Sequence, residues 1–202
     1  MSIKTIIDTN TLYSKVEYSG KDLYTKGLGG AETALINLAE NLGDCTVYNF
    51  TEKEETYNGV TYIRYGFQVP LDKPAFIQRS VANIGQIPHG SILLLHDQIF
   101  DNKDLLCSHL DNGNIKKIAV LSNFQKKLLL DHIGDQYTSS VIKYRNGTKF
   151  VRSSVTKNKN KFLYAHNPWR GLENLLKMWQ SIKIGIPDAE LHVFSGGFFK
   201  RD

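Results

Sequence analysis

Four short stretches of this 202-residue chain combine residue types and spacings that could do chemistry. "GLGGAET", Gly27 to Thr33, sets three glycines and an acid before an apolar run of helical spacing. Glycines there let the backbone approach a ligand closely. The free amides and the positive end of a helix favour an anion by ~0.3–2 kcal/mol. A tight turn needs the same residues, so turn and phosphate cradle both fit. It is neither a Walker A loop nor a GxGxxG fingerprint. "HDQ", His96 to Gln98, follows the most apolar run of the chain. A histidine at a strand's carboxyl end can donate to, or take a proton from, a ligand hydroxyl; a structural cap is the alternative. In "NPWRGLENLL", Arg170 and Gly171 stand where a helix opens after a strand. A guanidinium there is suited to a diphosphate, or is simply solvated. "FSGG", Phe194 to Gly197, is a strand-to-loop turn of a common kind.

The elements that must position these residues alternate between strand-like and helix-like periodicity. "IKTIID" reads as a first buried strand, followed by a long polar loop. In "AETALINLAENLG" Ala34, Leu35, Leu38 and Leu42 share a helical face, and Gly43 ends the helix. "CTVYNF" is strand-like, and "ETYNGVTYIRYG" predicts a hairpin turning on Asn58-Gly59. "KPAFIQRSVANIG" predicts a helix starting near Pro74. "SILLLHD" and "KKIAVLS" are near-continuous apolar strands of the sort buried in a parallel sheet. "NFQKKLLLDHIG" has helical spacing, and "SVIKYRNG" is one more strand. The order predicts an α/β fold with a doubly wound, Rossmann-like parallel sheet. A first domain is expected over 1–148 and a polar, lysine-rich linker over 149–160. At 161–202 a strand, a helix and a strand look like the opening βαβ unit of a second, incomplete Rossmann-like domain.

Composition sets the remaining bounds. Hydrophobic residues make up 41% and charged residues 22%, ordinary for a chain that buries a core. The net charge of +5 comes from scattered Lys and Arg. Without an aromatic-interleaved basic stripe it points away from nucleic acid and toward a basic cleft for a phosphorylated small molecule. Two cysteines, Cys45 and Cys107, have no metal-ligand spacing and predict buried thiols in a reducing, cytoplasmic setting. "MSIKTIID" is too short for a signal peptide, and no apolar run reaches the ~18 residues of a membrane span. Trp169 and Trp179 read as packing residues.

Taken together, "GLGGAETALINLAENL", "IAVLSNFQKKLLL", "VIKYRNGT" and "KFLYAHNPWRGLENLLKMWQSIKIGIPDAELHVFSGG" resemble glycosyltransferases of the GT-B fold, family-4 type (group 1). The family's GG-A-E loop, S-x-F/W-x-K element, N-G hinge, R/K-G-x-x-x-L-L helix and P-x-A-x-L-x-I-x-G strand occur here in order across nearly the whole chain. The resemblance implies two Rossmann-like domains, acceptor-binding first and donor-binding second. It implies transfer from a nucleotide-sugar co-substrate to a glycan, lipid or protein hydroxyl, with retention, no metal and no tightly bound cofactor, and allows peripheral contact with a membrane. By the same resemblance Gly29 and Gly30 would lie near the donor diphosphate or the reacting sugar, and Arg170 with Gly171 at the diphosphate. His96 would serve as the catalytic polar residue near the donor sugar, and Asn146-Gly147 as the hinge.

The chain departs from the family pattern in two places. Where a G-R pair usually follows the strand, this sequence has "YAHNP", with His166 as the nearest substitute. The family's acidic E-x7-E segment is expected beyond Asp202. Two other readings therefore stand beside the transferase: a non-catalytic glycan- or partner-binding fragment of a GT-B protein, and an unrelated Rossmann-like nucleotide-binding protein.

Overall fold

The structure, a computed structural model, describes residues 3–9, 17–26, 28–65, 69–82, 84–98, 100–145, 156, 158–166 and 168–194. The chain divides into two units, Met1–Lys149 and Phe150–Asp202. The expected linker lies outside the described residues except for 156 and 158–160.

The first unit runs β1 (Thr5–Asp8), a 3-10 turn (Gly20–Tyr24), α1 (Gly30–Leu42), β2 (Cys45–Asn49), β3 (Glu55–Tyr57) and β4 (Val60–Arg64). It continues through β5 (Phe76–Gln78), β6 (Ser91–Leu94), α2 (Lys103–Asp111), β7 (Ile115–Val120), α3 (Asn123–Ile133) and β8 (Val141–Lys143). The eight strands form one sheet in the order β3-β4-β2-β1-β5-β6-β7-β8. Every neighbouring pair is parallel except β3 and β4, which form the predicted hairpin. Its turn residues Asn58 and Gly59 have φ of 49° and 75°, the left-handed pair that matches strand twist.

Register assigns the helices to faces. Ile6 pairs with Val47 and Phe76, while the next residue, Ile7, pairs with Tyr48 and Ile77. Side chains alternate across a strand, so Ile6 and Ile7 feed different cores. Ile6 and Val47 pack with Leu35, Ile36 and Ala39 of α1. Ile7, Ile77 and Leu93 pack with Leu106 of α2 and Leu129 and Ile133 of α3. Helices thus cover both faces, as connections of one hand require when the chain winds outward in both directions from β1. The innermost stripe of α1 is Leu35, Ile36 and Ala39; Leu38 and Leu42 pack at its margin.

Caps delimit the helices. Gly43 ends α1 with φ 59°, its N–H bonded to the Ala39 carbonyl at 3.1 Å. The Ser122 hydroxyl accepts from Gln125 N at 3.0 Å to start α3, and Gly134 ends it with φ 108°. The Asn102 side chain accepts from the amides of Asp104 and Leu105, starting α2 in a segment whose sequence carried no assignment.

One expectation is corrected. The segment from Pro74 forms a strand, β5, and not a helix. Ala75 and Ile77 are fully buried, and β5 is bonded to β1 on one side and β6 on the other. Two parallel partners outweigh a short apolar run whose period fits either element. Both cysteines are free thiols; Cys45 is buried and Cys107 half-buried.

In the second unit β9 (Lys161–Tyr164) pairs in parallel with β10 (Glu190–Val193). A 3-10 turn (Pro168–Arg170) and α4 (Leu172–Gly185) lie between them in sequence. Phe162 meets Trp179 edge-on, ring centroids 5.6 Å apart. Ala189 is this unit's one buried hydrophobic residue among those described.

Candidate functional site

The sheet reverses its direction of winding between β1 and β5: β2 and β4 lie to one side, β6, β7 and β8 to the other. Diverging connections leave a crevice at the carboxyl ends of such strands. Here those ends carry Asp8 as the last residue of β1 and Thr9 after it, Gln78 and Arg79 at β5, and His96 beyond β6. Asp8, Thr9 and Gln78 are all buried, so their polar atoms require partners. Thr9 Oγ1 donates to the Gln78 carbonyl at 2.7 Å, and the Tyr18 hydroxyl donates to Asp8 Oδ2 at 2.6 Å. Asn49 Nδ2 holds the Tyr18 carbonyl at 2.7 Å. Burial and then the Asp8 charge push the Tyr18 phenol well above its usual pKa, so it remains a donor. Gln78 Nε2 reaches the Ala31 carbonyl in the first turn of α1 at 3.2 Å, while its Oε1 is buried with no partner among the described residues.

Gly29 is the N-cap of α1 and Gly30 its first residue. Both are exposed, and Gly30 has open space where a Cβ would stand. A Cβ on Gly29 would overlap Glu32 Oε2, so the carboxylate of Glu32 folds back over the start of its own helix. It therefore supplies the negative charge that a helix N-terminus favours. Glu32 Oε1 in turn accepts from Arg79 Nη2 at 2.9 Å, and Arg79 Nη1 lies 3.8 Å from Asp97 Oδ2. Arg79 thus joins the glycine turn to the "HDQ" loop. It does so at a cost: its φ is 78°, a left-handed conformation that an L-residue other than glycine adopts at ~1–2 kcal/mol. Its Nε is also buried with no partner among the described residues. Backbone strain of this kind on a charged residue makes Arg79 a candidate for the site.

His96 is half-buried one residue beyond Leu95, whose N–H bonds the Ala119 carbonyl at 2.9 Å. Its Nε2 lies 3.3 Å from the Tyr144 hydroxyl, the rings edge to face with centroids 6.2 Å apart. Burial, then the Arg79 charge, lowers the His96 pKa from 6.5, so the ring is neutral at pH 7. Gln125 Nε2 ties the same loop to α3 through the Asp97 carbonyl at 2.7 Å.

Arg170 and Gly171 lie in the second unit. Arg170 is exposed and ends the 3-10 turn. Gly171 is the N-cap of α4 with φ 103°, and its carbonyl accepts from Leu175 N at 3.0 Å. A hollow of about 350 Å³ is lined by Pro168, Trp169, Gly171, Leu172, Glu173, Asn174 and Leu176. Trp179 packs as expected, but Trp169 is 89% exposed and lines this hollow. Asn146 and Gly147 lie outside the described residues.

Within the first unit the structure joins Gly29, Gly30 and His96 through Arg79, which sequence reasoning missed because it assigned that segment to a helix. Asp8, Tyr18, Glu32, Gln78 and Tyr144 were missed as well. The acid ending the first strand in "IKTIID" was a legible signal for one of them. Among the described residues no three His, Cys, Asp or Glu side chains gather as a metal site, and no helix is long and apolar enough to cross a membrane. Compared with known proteins, the chain matches no family model, no curated protein and no solved structure.

Proposed function

We propose that this protein acts as a nucleotide-sugar glycosyltransferase of the GT-B type, moving a sugar to a hydroxyl acceptor with retention and without a metal. The anomeric carbon exchanges its bond to the diphosphate oxygen for one to the acceptor oxygen, and the acceptor's proton leaves with the diphosphate. What carries the reading is the switch-point crevice of the first unit. There Arg79 ties the Gly29-Gly30 turn to the loop bearing His96. The order of motifs along the chain supports it independently.

In this reading Gly29 and Gly30 give close backbone approach to the sugar and not to its diphosphate, because the Glu32 carboxylate over that helix end would repel a second anion. The family resemblance assigns the diphosphate to Arg170 and the start of α4, where an exposed guanidinium and helix amides are suited to stabilise the charge that develops as the bond breaks. The same carboxylate favours one second reading: the first unit binds a neutral glycan without turning it over.

The test is release of nucleoside diphosphate from a panel of uridine, guanosine, adenosine and thymidine diphosphate sugars, with sugar and glycan acceptors. At least one donor is expected to turn over, and Arg170→Ala to slow it on the order of a hundredfold. Turnover unchanged by Arg170→Ala removes Arg170 from the site. Glycan binding with no donor turned over or bound leaves the second reading.

A further inference from the structure

The histidine at the crevice has a ring nitrogen engaged by a residue to which no role has been given. The Tyr144 hydroxyl and His96 Nε2 are 3.3 Å apart, and one proton lies between them. A phenol donates far more readily than it accepts, and the unprotonated nitrogen of a neutral imidazole is the better acceptor, so the proton belongs to the phenol oxygen. Burial reinforces this by pushing the Tyr144 phenol up to about 12. The tyrosine is held where it is needed, because its own N–H bonds the Val120 carbonyl of β7 at 2.9 Å. His96 stays neutral through its burial and the Arg79 charge, although Asp97 and Glu32 act the other way. Among the described residues His96 Nδ1 has no hydrogen-bond partner.

We propose that Tyr144 is a positioning residue that donates its hydroxyl proton to His96 Nε2, so that His96 presents Nδ1–H to the ligand as a hydrogen-bond donor and not as a base. A neutral imidazole has one N–H and one lone pair. With the lone pair on Nε2 occupied by Tyr144, an N–H at Nδ1 is what the ring has left to offer. The group it recognises is then an acceptor oxygen, a sugar hydroxyl lone pair or a phosphoryl oxygen, and the reaction takes no proton onto His96. The tautomer rests on the Tyr144–His96 contact and on the donor strength of a phenol, whereas the ligand's identity as a sugar rests on the transferase reading.

Long-range 1H–15N correlation spectra of the 15N-labelled protein, recorded well above the titration of the imidazoles, test the assignment without any activity. Of the six histidines, His96 is identified by the signals lost in His96→Gln. The expected pattern is a pyrrole-type shift at Nδ1 and a pyridine-type shift at Nε2. Tyr144→Phe removes one oxygen and is expected to move the ring toward the Nε2–H tautomer that a solvent-exposed histidine side chain favours in water. An Nε2–H ring in the unsubstituted protein overturns the proposal even if the variant fails to fold. A spectrum unmoved by Tyr144→Phe overturns it as well. If a donor is turned over, Tyr144→Phe is expected to lower kcat and to have no further effect in the His96→Gln background; full additivity would deny that Tyr144 acts through His96. If no donor is turned over, the transferase reading fails and the spectra still decide the tautomer.

Discussion

Arg79 concentrates the site's chemistry in one residue, since its guanidinium pairs with Glu32 while its backbone sits at φ 78°. The two properties separate by substitution. Arg79→Ala loses the pair and keeps the strain, whereas Arg79→Gly loses the pair and relieves the strain. In most places glycine is the less stable of the two because its unfolded chain is freer. Here the order is expected to invert, with Arg79→Gly more stable than Arg79→Ala by about 1 kcal/mol in urea denaturation. Alanine proving the more stable would mean that the left-handed backbone costs nothing. His96 carries a second expectation. Its folded pKa lies below the ordinary 6.5, so the unfolded chain binds its proton first. The stability it contributes is present above pH 6.5 and is lost as pH falls from there toward the folded value. His109, lowered by burial, acts in the same direction. Urea midpoints measured across this window should fall on acidification, with a shallower slope for His96→Gln; an identical slope would exclude His96 as a contributor.

Among the elements, the first turn of α1 has a geometry that depends on a missing side chain. Gly29 has φ −68°, which any residue adopts, so its requirement is space. Alanine there would push the Glu32 carboxylate away from the helix end and off Arg79. Gly29→Ala and Arg79→Ala then remove the same interaction. In a double-mutant cycle, the cost of Arg79→Ala should shrink by on the order of 1 kcal/mol when residue 29 is alanine. Strict additivity would place the Glu32 carboxylate elsewhere. β5 makes a related point: its three residues, bonded on both sides, set Gln78 and Arg79 at the crevice, so the strand's register fixes the chemistry.

Across the whole molecule, stability is distributed unevenly. Both hydrophobic clusters, from Ile6 to Val141, lie in the first unit. In the second, Ala189 alone among the described hydrophobic residues is buried. A chain ending at Lys149 should therefore unfold in one cooperative transition, at the same urea midpoint as the full protein. A midpoint that drops clearly would show that Phe150–Asp202 stabilises the first unit.

The local and repetitive features were legible in the residues themselves. Gly43 closed a helix where left-handed backbone is needed, Asn58-Gly59 turned a hairpin, and continuous apolar runs marked strands buried on both faces. Each depends on neighbours within a few positions, so sequence alone determined it, and with it the α/β class. Strand order and the crevice depended on partners far along the chain. The triplet Phe76–Gln78 became a strand because β1 and β6 flank it, and Arg79 took a left-handed backbone only in that setting. The links from Glu32 to Arg79 and from Tyr144 to His96 span 47 and 48 residues. No local period encodes such distances; the tertiary structure decided them, because buried charge and buried hydroxyl must find partners wherever the fold brings them.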